Sequence, residues 1–252
     1  MATVTTTIQN GRLGNQIIRN IAVSRIAEKH NLKVEYCSKR TIEQLGILLF
    51  SGTQVHVETR PLTDENYFDI YSLEPSSFVY NLDPNNHYFQ TRQISNWVYD
   101  YFHINTVKRA IIEKNPYETR YNQNNDMFIH IRLKDVAHHN PGVQYYLNTI
   151  EKINGFAQLY ISTDDVNHPI VQTICNKYPS TKLLNCDEIT TFQFASTCKH
   201  IILSHGSFSA IIGYLAFYST VYYPEYEPNK IWYGDMFSIP GWIQCPTAIV
   251  KS

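Results

Sequence analysis

Strand-like and helical patterns of apolar positions alternate along most of the chain. Thr3 to Ile8 reads as a strand that breaks at Asn10-Gly11. Ile17, Ile18, Ile21, Ala22, Ile26 and Ala27 then recur at helical spacing, with Arg19, Arg25, Glu28 and Lys29 on the other face. Lys33 to Cys37 completes a strand–helix–strand start, and Gly46–Phe50 and Gln54–Glu58 add short strands around Ser51-Gly52. Arg60 to Pro84 is irregular, polar and Tyr-rich, and reads as loops with short elements. Val98 to Ile112 predicts a helix.

The polar stretch Lys114 to Asp126, carrying Pro116 and four asparagines, reads as a linker. Beyond it the alternation restarts. Met127–Ile131, Leu159–Ser162, Lys182–Leu184, His200–Leu203 and Val221–Tyr223 read as strands. Between them, helices are expected over Val143–Ile153, around Pro169–Lys177, and over Thr191–Cys198 and Ser209–Phe217. Such alternation implies an α/β protein whose parallel sheet carries helices on both faces. The linker divides it into residues 1–122 and 123–252, two Rossmann-like domains facing a cleft.

With 21 basic and 22 acidic residues the chain carries a formal charge of −1, which argues against a nucleic-acid-coating surface. Its 19 tyrosines can pack a core or stack on sugar and base rings. No basic-then-apolar leader opens the sequence, and the longest apolar candidate, Ala210 to Phe217, falls well short of the ~18–20 residues a transmembrane segment needs. Cys37, Cys175, Cys186, Cys198 and Cys245 form no C-x-x-C pair, and no N-x-Ser/Thr sequon occurs. A soluble, cytoplasmic protein is expected.

Four segments have the composition of a ligand site. Gly11-Arg12-Leu13-Gly14-Asn15-Gln16 joins the first strand to the first helix, where backbone N–H groups and a helix's positive end favour anions. It lacks the third glycine of a dinucleotide fingerprint, and a plain tight turn would look the same. His130 and Arg132 share one side of the strand after the linker, where a buried pair of this kind is costly unless it meets an anion. A salt bridge or a partly solvated edge strand is the alternative. Ser162-Thr163-Asp164-Asp165 follows a buried strand and can cap a helix or bind ribose hydroxyls or a guanine edge. No further carboxylates cluster with it, so no metal is expected. Ser204 to Ser209 ends a strand in small polar residues and opens an apolar helix, so Ser207 and Ser209 can hold a phosphate or simply cap.

Taken jointly, these segments resemble the α1,2-fucosyltransferase family and, more distantly, the protein O-fucosyltransferases. Gly-Arg-Leu-Gly-Asn-Gln is similar to the family's N-terminal motif, and His130-Ile131-Arg132 resembles its His-x-Arg-Arg-Gly-Asp segment. Tyr145-Tyr146 followed by Ile150, Ser162–Asp165, Cys198-Lys199-His200 through Ser207-Phe208-Ser209, Phe89-Gln90 and Trp242-Ile243 match further elements in family order. Leu133-Lys134 stand where the family has Arg-Gly, and Ala210-Ile211 replace an aromatic pair.

The resemblance implies a GT-B-like fold and an inverting glycosyltransferase that moves L-fucose from GDP-β-L-fucose to a glycan hydroxyl without a metal or other cofactor. It implies that Arg132 holds the diphosphate, with His130 supporting it or touching the nucleotide. Asp164 would bind base or ribose, while Ser207, Phe208 and Ser209 close the donor pocket. Gly14 and Asn15 would approach from the N-terminal domain, Asn15 with Arg132 in a catalytic role. The partners would be a GDP-sugar and an oligosaccharide acceptor, with no nucleic acid and no transmembrane segment. A transferase for another GDP-sugar, of rhamnose or mannose type, and a non-catalytic sugar- or nucleotide-binding module remain the alternatives. No general base is identifiable, although Glu65, Asp69 and Glu74 lie in the irregular N-terminal region.

Overall fold

The computed structural model describes residues 4–225 and 234–247, so Thr3 of the first expected strand lies outside the described residues. The chain forms two compact units, divided at Ile111/Ile112, with Gly234–Met236 returning to the first.

In the first unit β1 (Thr5–Thr6) leads through a Gly-containing turn into α1 (Leu13–His30), and β2 (Val34–Glu35) pairs with β1 in parallel. The helix differs from the amphipathic reading. Ile17, Ile18, Ile21, Ala22, Val23, Ile26 and Ala27 are fully buried, and so is Arg19, which was expected on the polar face. Its guanidinium tolerates burial because it donates to three backbone carbonyls, those of Ile8, Asn10 and His87. After α2 (Lys39–Glu43), the two short strands expected between residues 46 and 58 are loop. Ser51 Oγ there accepts from Val34 N–H and donates to Val34 C=O, so a side chain takes the place of a strand ladder.

The irregular Tyr-rich region contains β3 (Thr59–Pro61), α3 (Tyr67–Ser72) and β4 (Asn81–Asp83), with β3 and β4 paired in parallel. Leu82 N–H donates to Thr5 Oγ1 at 2.8 Å, a side-chain link between β4 and β1. The single helix expected over residues 98–112 is two, α4 (Arg92–His103) and α5 (Asn105–Lys114). Ile104 between them is extended, at φ −60° and ψ 129°, which interrupts the helical ladder.

The second unit alternates more regularly. In chain order it comprises β5 (Met127–Ile131), α6 (Val143–Lys152), β6 (Leu159–Thr163), α7 (Pro169–Lys177), β7 (Lys182–Leu183), α8 (Glu188–Ala195), β8 (His200–Ile202), α9 (Ser207–Tyr214), β9 (Thr220–Pro224) and β10 (Ile243–Cys245). All six strands are parallel, in the spatial order β7-β6-β5-β8-β9-β10. Two boundaries move from their expected places for local reasons. Asp187 caps Thr190 N–H at 2.6 Å, so α8 starts before Thr191. Gly206, at φ 94°, ends the turn before α9, which therefore opens at Ser207 and not Ser209. The edge strand β10 was not expected, because three residues carry no readable period.

Ile129 and Ile131 pack with Tyr145, Tyr146 and Ile150 of α6 and Val171 and Ile174 of α7. His130, between those two isoleucines, turns to the opposite face and meets Phe208 and Ser209 of α9. Fully burying each such isoleucine contributes roughly 1.5–3 kcal/mol, enough to fix the register that aims His130 and the following Arg132.

Candidate functional site

The strand order of the second unit locates a site without reference to any motif. From β5 the chain runs outward through β6 and β7, then returns to β8 on the other side of β5 and runs outward through β9 and β10. The order reverses between β5 and β8. In open parallel sheets the crevice outside the carboxyl ends of the strands at that reversal is the ligand-binding position. The segments that leave there are Arg132 onward after β5 and Leu203 to Ser209 after β8.

These two segments meet. His130 Nδ1 and Ser209 Oγ are 2.6 Å apart, and Ser209 Oγ also accepts from Ser204 N–H at 3.1 Å. The His130 ring lies 4.9 Å from that of Phe208, which stacks on Phe192 of α8 at 4.3 Å. A side chain added to Gly206 would overlap Arg132 Nη1, so the absence of a Cβ there lets the guanidinium lie across the β8–α9 turn. Arg132 itself is largely buried, and its Nη2 donates to Asp135 Oδ2 at 3.0 Å. The N-cap of α9 is Gly206, which brings no side chain of its own to the first-turn amides. First-turn amides, two serine hydroxyls and a guanidinium at one strand reversal have the chemistry to hold a diphosphate.

Supporting residues hold the two strand ends. Tyr145 hydroxyl donates to Leu203 C=O at 2.8 Å, and Asn140 Nδ2 donates both to Tyr146 hydroxyl and to Arg132 C=O, each at 3.0 Å. Asp164, at the end of β6, accepts from Leu133 N–H through Oδ1 at 2.8 Å and so anchors the turn that carries Arg132. His205 is buried within the β8–α9 turn, and desolvation with the nearby His139 lowers its pKa to about 4. It is neutral at pH 7, which spares the turn an uncompensated buried charge. Gly206 and His205 belong to the candidate segment Ser204 to Ser209 but take no role of their own in the sequence reading, and Asn140 lies outside every candidate segment. A glycine directly before the helix-opening serine was the readable signal for the first; the other two had none.

Gly14 and Asn15 belong to the first unit. Gly14 is buried in the first turn of α1, and Asn15 Oδ1 accepts from Gln90 Nε2 at 2.8 Å. That bond joins two of the segments that carried the sequence resemblance, Gly11–Gln16 and Phe89-Gln90. Phe89 sits at φ 57°, a conformation costly for an aromatic residue and kept here by its complete burial. Gln16 bridges the same turn to the next loop, donating to Gly11 C=O at 2.7 Å and accepting from Ser38 Oγ at 2.6 Å. Among the described residues, no group of three or more His, Cys, Asp or Glu is placed to hold a metal ion, and no helix is long and apolar enough to cross a membrane.

No family model and no curated protein matches the sequence. Solved structures do. A mutant of Arabidopsis thaliana FUT1 in complex with GDP matches with a TM-score of 0.52 at 10% identity, over 91% of this chain and 72% of that one. The E. coli heptosyltransferase WaaC with ADP matches with a TM-score of 0.50 at 8% identity, over 97% of this chain and 93% of that one. The fold is GT-B-like. At these identities the likeness is one of fold, and it agrees with the α/β architecture expected from the sequence.

Proposed function

We propose that this chain is an inverting glycosyltransferase that moves L-fucose from GDP-β-L-fucose to a hydroxyl of a glycan acceptor, forming an α1,2 linkage. The observation that carries the reading is the meeting of Arg132, His130 and the Ser207–Ser209 turn at the strand reversal between β5 and β8. The ordered resemblance of the segments along the sequence supports the donor class, as does the GDP in the plant FUT1 structure that shares the fold.

In this reading the acceptor oxygen attacks C1 of the sugar as the C1–O bond to the diphosphate breaks. The bonding electron pair leaves with GDP, and the sugar passes through an oxocarbenium-like state. Arg132 and the first-turn amides of α9 stabilise the charge that builds on the departing diphosphate. His130 and Ser209 buttress that turn, Phe208 flanks the nucleotide, and Asp164 contacts base or ribose while anchoring Leu133. For Gly14 and Asn15, which belong to the first unit, the sequence resemblance alone supports a role toward the donor.

The shared fold with a heptosyltransferase holding ADP favours a second reading, in which another nucleotide-sugar is the donor. Thermal shifts with GDP, ADP and UDP, followed by mass spectrometry of a donor panel against small galactosides, separate the two. GDP should stabilise most, by about 2.7 kcal/mol at a hundredfold excess over Kd, and GDP-fucose should be consumed in preference to GDP-mannose. Equal shifts from all three nucleotides would remove the guanine assignment. Transfer should also survive EDTA, since a guanidinium and helix amides supply the positive charge. Activity lost to chelator and restored by Mg²⁺ or Mn²⁺ would count against this mechanism.

A further inference from the structure

The positive groups named so far at the strand reversal are Arg132 and the first-turn amides of α9. The connection from β5 to α6 adds imidazoles to them. It forms a short 3-10 helix over Lys134–His139, and the rings of His138 and His139 at its end have centroids 3.9 Å apart. Asn140 then fixes that end in place. Its Nδ2 donates to Arg132 C=O and to Tyr146 hydroxyl, each at 3.0 Å, and its Oδ1 accepts from Gly142 N–H at 2.9 Å. His139 is therefore held one residue from a clamp on Arg132 itself.

His139 also borders the second segment of the crevice. Its imidazole is near enough to that of His205 to disfavour a charge there, and His205 directly precedes Gly206, the residue that Arg132 Nη1 lies across. The place that Arg132 and the α9 amides offer a diphosphate thus has the half-buried His139 at its rim. Desolvation, and after it the like charge of His138, lower the His139 pKa from the usual 6.5, so the ring is mostly neutral at pH 7. The other charged or titratable side chains on these segments are Lys134 and Asp135 on the same connection, His130 and Arg132 of β5, Asp164 and Asp165 after β6, and His205. The three carboxylates are engaged elsewhere: Asp164 with Leu133 N–H at 2.8 Å, Asp165 with Asn167 N–H at 3.1 Å and Asp135 with Arg132 Nη2 at 3.0 Å. A diphosphate would reverse the balance at His139, since an opposite charge within ~4–6 Å favours the charged form.

We propose that His139 is a further ligand of the donor's diphosphate and becomes an imidazolium as the donor binds, so that donor binding takes up a proton from solvent. The assignment rests on the transferase reading above. The imidazolium N–H donates to a phosphate oxygen, and its charge adds to that of Arg132 as the bonding pair of the C1–O bond leaves with GDP. Binding is then favoured on the acid side. As pH rises through the histidine range the proton becomes scarcer, and affinity falls by up to about 10-fold per pH unit.

The probe is GDP-β-L-fucose, or the sugar nucleotide of the donor panel that most raises the unfolding midpoint. Each of its phosphates is doubly substituted and has no second proton to gain near neutral pH, unlike the terminal phosphate of GDP. Titration calorimetry of the full chain at about pH 7, in buffers of different ionisation enthalpy, counts the protons taken up per donor bound. Wild type should take up about half a proton or more, a measurement that needs no variant to fold. His139→Gln should take up almost none, and its affinity should stay level between about pH 6 and 8 where that of wild type falls. His139→Lys carries its charge throughout and should restore affinity without the proton uptake, whereas His138→Gln should keep the uptake. Uptake undiminished in His139→Gln, or a wild type that binds the donor with no uptake and a flat pH profile, overturns the assignment and leaves the transferase reading standing. A wild type that binds no sugar nucleotide overturns that reading, and this assignment with it.

Discussion

At the scale of single residues, Arg132 is the side chain whose role is most open to direct test. Charge on a departing diphosphate is greater in the transition state than in the resting donor, so a planar two-pronged donor acts chiefly on kcat. Arg132→Lys keeps the charge and loses the fork; Arg132→Ala loses both. Each should cost about 10²–10³ in kcat, roughly 3–4 kcal/mol, with the unfolding midpoint nearly unchanged. Variants that stay folded and turn over normally would move the donor site elsewhere. Asp135 provides a companion test, because its carboxylate already accepts from Arg132 Nη2 at 3.0 Å and stands exposed, where a phosphate oxygen can displace it. Exposed pairs of this kind are worth about 0.2–1 kcal/mol, so Asp135→Asn should tighten GDP binding up to roughly 5-fold by calorimetry. Weaker binding would show that Asp135 positions the guanidinium and does not compete for it.

At the scale of elements, the second unit was legible because its central strands β5 and β8 are apolar runs, buried or nearly so, and helical patterns alternate with its strands, whereas the exposed edge strand β10 escaped notice. The first unit was less so. Its strands are two or three residues long, too short for alternation to register, and Ser51 does by side chain what a strand would do by backbone. Arg19 was assigned to the polar face of α1 because a guanidinium normally is; its three carbonyl partners come from segments that local sequence cannot place beside it. Asp164 was legible as a residue at the functional edge but not as the anchor of Leu133, a contact 31 residues back. The same distance effect hides Tyr145, whose hydroxyl holds Leu203 C=O from another element. Tyr145→Phe keeps the ring in the core and strips that buried carbonyl of its donor, so it should cost about 1–3 kcal/mol in urea unfolding and weaken GDP binding several-fold. A loss under half a kcal/mol with unchanged GDP affinity would mean the β8–α9 turn holds its shape without α6.

At the scale of the whole molecule, the buried turn ties stability to pH in a calculable direction. His205 is held neutral, with its pKa lowered from the usual 6.5 to about 4, mainly by desolvation and secondarily by the like charge of His139. The unfolded chain therefore takes up this proton first as pH falls. The contribution is fully present above about pH 6.5, declines between 6.5 and 4, and is spent once the folded form is also protonated. Over that window the loss amounts to about 3 kcal/mol, since each pKa unit is worth 1.36 kcal/mol. Carboxylates elsewhere also titrate over this range, so the wild-type curve alone is not diagnostic. His205→Gln keeps a polar side chain of similar reach and cannot be charged, and subtraction of its curve cancels the shared groups. Urea unfolding of both proteins at pH 7.5 and 4.5 should show wild type losing about 2–3 kcal/mol more than the variant across that interval, read on the second unit's own transition where the two units unfold separately. A difference between the proteins that stays constant with pH would mean that His205 takes up its proton as readily in the fold as in the unfolded chain, so that burial does not hold it neutral. Below about pH 6.5 the β8–α9 turn would then carry a cation of its own, and the electrostatics of the donor site in that range would have to be redrawn with His205 as a further positive group.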